Sequence, residues 1–213
     1  MTLSRLTDGF DAWCEILAAN GHALELLDGA PEEEIVGAER QVGFTFAPEV
    51  RELYAHSNGL TVPGVGLLFL PPSMSFLQLE NGHSYRSSFK NAPELASEDL
   101  QNPGVRGPGG VPLEVLAVFW GGEGTVAVEC SEHAQGAVMF LNDDARFFWV
   151  ARSLTELFER YVDAYEKGII EWDDMGYPAV RRRYESKMVE YTSDEPPRGS
   201  CSVWHWDDWA TGH

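Results

Sequence analysis

The residues closest to a catalytic arrangement are Cys130, His133 and Asp143, near enough in sequence to suggest a thiol deprotonated by an imidazole that an acid orients. No flanking motif supports that chemistry, and a cysteine at the end of an alternating strand is more often a small hydrophobe. His205, Asp207, Asp208 and His213 combine imidazole and carboxylate groups that suit a metal. They crowd the C-terminus among Trp204, Trp206 and Trp209, where solvated tail chemistry is the simpler reading. There is no Gly-Lys-Ser/Thr phosphate loop and no Gly-x-Ser-x-Gly nucleophile elbow. The expectation is a protein that is not an enzyme, with no catalytic residues, metal or cofactor.

Charge says more about partners. The 213 residues carry 34 acids and 15 bases, a formal charge of −19. From Asn91 to Ala145 the acids are Glu94, Glu98, Asp99, Glu114, Glu123, Glu129, Glu132, Asp143 and Asp144, against the single base Arg106. Such a surface repels phosphate, so neither nucleic acid nor an anionic membrane is an expected partner. A basic protein would be attracted and its association accelerated. The plainer alternative is that acidic surfaces keep proteins soluble. Cys14, Cys130 and Cys201 are too scattered for a disulfide framework or a Cys-x-x-Cys metal site, which suits a reducing compartment. The N-terminus lacks the apolar run of a signal peptide, and no stretch approaches the ~20 apolar residues of a membrane span, so a cytoplasmic location is expected.

The elements that must position these residues can be read from periodicity. Phe10, Trp13, Cys14 and Leu17 recur at helical spacing over residues 7–20. Pro31 followed by Glu32, Glu33 and Glu34 opens a second helix, and Gly43 closes it. A third begins near Pro48 and is expected to stop at Asn58-Gly59. Residues 65–70 can be a strand, 73–79 could start a helix, and the Gly- and Pro-rich stretch 102–112 reads as a loop. Residues 115–120 are apolar without alternation, as in a central strand covered on both faces. Residues 125–130 alternate, so a half-buried strand is expected, with Thr125, Ala127 and Glu129 on the outer face. Residues 137–141 and 146–150 continue an antiparallel meander across Asn142-Asp143-Asp144. Ser153 and Glu156 form a capping box that opens the clearest helix, ended by Gly168. This organisation predicts one domain over residues 1–168 and a C-terminal extension over 169–213, with a short helix around Arg181-Arg182-Arg183 and a Trp-rich acidic tail. That tail could fold back over the sheet or be offered to a partner.

Taken in order, Ile35, Glu39, Val42-Gly43, Phe46, Leu53-Tyr54 and Asn58-Gly59 resemble the opening motif of the SMI1/KNR4 (SUKH) family. The strand entering Phe119-Trp120-Gly121, the Gly136-Ala137-Val138 segment and the helix opened by Ser153-Leu154-Thr155-Glu156-Leu157 continue the resemblance from Ala30 to Gly168. Ala47 stands where the family usually has proline, with Pro48 one place later, and the tail has no counterpart. The resemblance implies an α+β fold with a central, mainly antiparallel sheet packed against helices and no catalytic machinery. It also implies a protein-binding role, either as a bacterial immunity protein neutralising a toxin, often a nuclease, or as an intracellular regulator or scaffold. A nuclease is usually basic, so an acidic inhibitor would suit it. The candidate contacts are Trp120, Glu123, Glu129, Asp143 and Asp144, although a core position is the simpler reading of Trp120. Glu39, Gly43, Pro48, Asn58 and Gly59 are expected to hold structure, Glu39 through helix packing or a cap.

Overall fold

In a computed structural model of the chain, the described residues are 5–22, 24–60, 67–68, 73–80, 114–121, 124–131, 136–142, 147–168, 170–172 and 178–180. Helix α1 (Leu6–Ala19) turns Leu6, Phe10, Trp13 and Leu17 to one side, and all four are buried. Helix α2 (Glu32–Val42) starts after Pro31 with three glutamates at the positive end of its dipole, and ends at Gly43, which is left-handed at φ 87°. Helix α3 (Pro48–His56) carries its proline in the first turn, where no backbone N–H is needed, and buries Val50, Leu53 and Tyr54.

Asn58-Gly59 does not simply terminate α3. The chain turns extended at Ser57 and runs directly into strand β2 (Ser57–Leu60), which pairs antiparallel with β1 (Leu26–Asp28) through Leu26↔Leu60 and Asp28↔Ser57. Neither short strand has enough periodicity to be visible without its mate.

The main sheet is a six-stranded antiparallel meander in sequence order: β3 (Leu67–Leu68), β4 (Ser73–Phe76), β5 (Val115–Gly121), β6 (Gly124–Glu129), β7 (Val138–Asn142) and β8 (Phe147–Ala151). Residues 73–76, expected to open a helix, are strand β4. Met74 lies opposite Gly121 and Phe76 opposite Phe119, and this pairing outweighs a weak local helix preference. On β5, Val115 to Phe119 are all buried, as its unbroken apolar run implies. On β6, however, every residue is buried, so the expected half-exposed strand is covered on both faces.

Helix α4 (Leu154–Glu166) packs across α1 on the helical side of this sheet. Ser153 Oγ accepts the Glu156 N–H at 3.1 Å, while the Glu156 carboxylate reaches back to the Arg152 N–H at 2.7 Å, one residue before the reciprocal partner of a standard capping box. The pairs Arg160–Glu156 and Lys167–Asp163 form at 2.6 and 2.7 Å on its outer side. Aromatic rings dominate the interior: Phe10 lies 5.4 Å from Phe158 and 5.6 Å from Phe76, and Trp13 stacks on Tyr161 at 5.2 Å. Burial of such rings makes this layer the main source of stability, since truncating one in a core costs about 3–5 kcal/mol.

The packed unit also continues past residue 168. Strand β9 (Ile170–Trp172) pairs with β10 (Pro178–Val180), and Ile170 is 2% exposed within the same core. The first residues of the expected extension therefore belong to the domain. Residues 181–213, with the basic triplet and the tryptophan-rich end, lie outside the described residues.

Candidate interaction surface

Of the motif residues of the helical half, Gly43 and Pro48 are exposed at helix ends, while Glu39, Asn58 and Gly59 make structural contacts. Glu39, on the last turns of α2, accepts the Phe46 N–H at 2.8 Å and an Arg51 guanidinium N–H at 2.5 Å, and Arg51 also pairs with Glu32. One carboxylate thus ties the α2–α3 connection to both helices, the packing and capping role expected of it. Asn58 Oδ1 accepts the Leu79 N–H at 2.9 Å, and its amide donates to Glu34 at 3.1 Å. Gly59 sits at φ 85°, and a Cβ there would fall 2.6 Å from the Gln78 backbone nitrogen. Only glycine allows β2 to approach residues 77–78 this closely.

Three further structural contacts carry no sequence signal. The Glu49 carboxylate in the first turn of α3 accepts the Leu154 N–H at 2.6 Å, the Thr155 N–H at 3.4 Å and the Thr155 hydroxyl at 2.6 Å, so it caps α4 from more than a hundred residues away. At Gly29 a Cβ would meet the Ala55 carbonyl oxygen at 1.8 Å. Asn20 at the end of α1 donates to the Tyr165 hydroxyl at 3.1 Å.

The candidate contact residues of the sheet do not form one cluster. Trp120, near the end of β5, is 40% exposed and is the large apolar side chain left in solvent among the described residues. Its cross-strand neighbours Ser75 and Thr125 are buried, so the indole rises from a fixed base on an interior strand. The pairs Gly121↔Gly124, Gly124↔Asn142 and Leu141↔Phe147 bring the ends of β5 to β8 together beside it. Glu123, Asp143 and Asp144 fall between these strand ends in chain order and lie outside the described residues.

Glu129 departs from expectation. It lies at the other end of β6, opposite Val115, and is 0% exposed, so it does not offer its carboxylate on an outer face. Burial pushes its pKa up; Ser131 and the Glu114 backbone ease the shift, and the nearby Glu114 charge adds to it.

The proposed nucleophile is also poorly placed. Cys130 is 5% exposed, and burial, its largest cause, pushes the thiol up to about 12, well away from the thiolate that attack requires. Cys14 is likewise raised to about 12 by burial. His133, Asp143, His205, Asp207, Asp208 and His213 lie outside the described residues. Among the described residues no group of three His, Cys, Asp or Glu side chains could hold a metal, and no helix is long and apolar enough to cross a membrane.

Comparison with curated proteins returned no match. Comparison with protein families matched residues 29–160 to the SMI1 / KNR4 family (SUKH-1). That span runs from the start of the α2–α3 motif through the meander into α4, and its mixed α+β architecture is the one the resemblance implies. The chain belongs to the SMI1/KNR4 (SUKH-1) family.

Proposed function

We propose that the protein works stoichiometrically, without catalysis, as a cytoplasmic immunity protein that neutralises a basic, nuclease-type toxin. The observation that carries this reading is Trp120, an aromatic side chain left exposed on a rigid interior strand between buried neighbours. Interfaces concentrate their energy in such preorganised tryptophans. The acids that fall in chain order between the strands of this sheet, Glu123, Asp143 and Asp144, suit a basic partner, as does the net charge of −19.

A nuclease presents positive charge around its active site to attract phosphate, so an acidic surface would both steer association and occlude the site. The raised thiol of Cys130 favours binding over cysteine chemistry.

The test is capture of partners from the native lysate by the tagged chain at low and high salt, followed by co-expression of the captured protein with wild type or Trp120→Ala. One stoichiometric basic partner whose toxicity is relieved by wild type and not by Trp120→Ala is the expected result. Charge reversal at Asp143 and Asp144 should flatten the salt dependence of binding. Several weak partners, none of them toxic, would replace immunity with an intracellular regulatory or scaffolding role.

A further inference from the structure

We draw no further inference here: the strongest candidate, the face of the main sheet away from the helices, where Val115, Ala117, Ala127 and Met139 are buried apart from the helix-side core, carries nothing because nothing among the described residues shows what covers it.

Discussion

The helical half and the sheet half of this molecule treat buried acids in opposite ways. Glu39 and Glu49 each spend their oxygens on backbone N–H groups and side-chain donors, and each ties together elements distant in sequence. Glu129 in the sheet is more deeply buried than either, and burial outweighs the hydrogen bonds from Ser131 and the Glu114 backbone, so its pKa is raised. A satisfied carboxylate is a structural tie whose loss strands its donors. One whose desolvation outweighs its donors is held toward its protonated form instead. Trp120 extends the contrast: ten of the largest side chains are sealed in the core, while this ring, on a strand just as well anchored, remains in solvent.

The comparison can be broken most forcefully at Gly59. A Cβ there would strike the residue 77–78 backbone at a positive φ, so Gly59→Ala should cost about 3 kcal/mol or more in urea unfolding. A loss below about 1 kcal/mol would mean that β2 can move away and that the motif glycine is not a structural lock. Glu49→Ala removes the cap on α4 and should cost about 2 kcal/mol, with early loss of amide exchange protection at Leu154 and Thr155.

Glu129→Gln should act in the reverse sense. Its folded pKa is raised above the ordinary 4.5, so the folded state holds its proton longer than the unfolded state does. The contribution of Glu129 to stability is therefore fully present below 4.5 and is lost as pH rises through the folded value. Denaturation of wild type and Glu129→Gln across that window should show the variant losing this slope and gaining in relative stability as pH increases. Parallel profiles would remove Glu129 from the contrast.

Trp120→Ala should have the smallest effect on stability, within about 0.5 kcal/mol by thermal unfolding, because the ring is not part of the core. Its effect should appear in partner affinity instead, at about 2 kcal/mol or more if the indole is an anchor. A large stability loss would reassign it to structure.

How much could be read ahead of the structure follows the same division. Helices α1 to α4 were legible from 3.6-residue periodicity, from proline and glutamate at their starts and from Gly43 at an end, because those signals act within a few residues. The unbroken apolar run of β5 announced a covered strand for the same local reason. Strand β4 and the β1–β2 pair were not legible, since four or fewer residues acquire their conformation from the strand they meet.

The amino-acid sequence by itself determined the acidic balance, the four helices, the long strands β5 to β8 and the motif that marks the family, since composition and short-range periodicity are properties of the chain alone. Tertiary structure decided that Trp120 is exposed and Glu129 buried, and that they stand at different ends of one sheet face. It also decided that Glu49 caps a helix more than a hundred residues away and that the packed unit runs on to Ile170. Burial and long-range hydrogen bonds depend on which surfaces meet, and alternation along a strand marks two faces without saying what covers either.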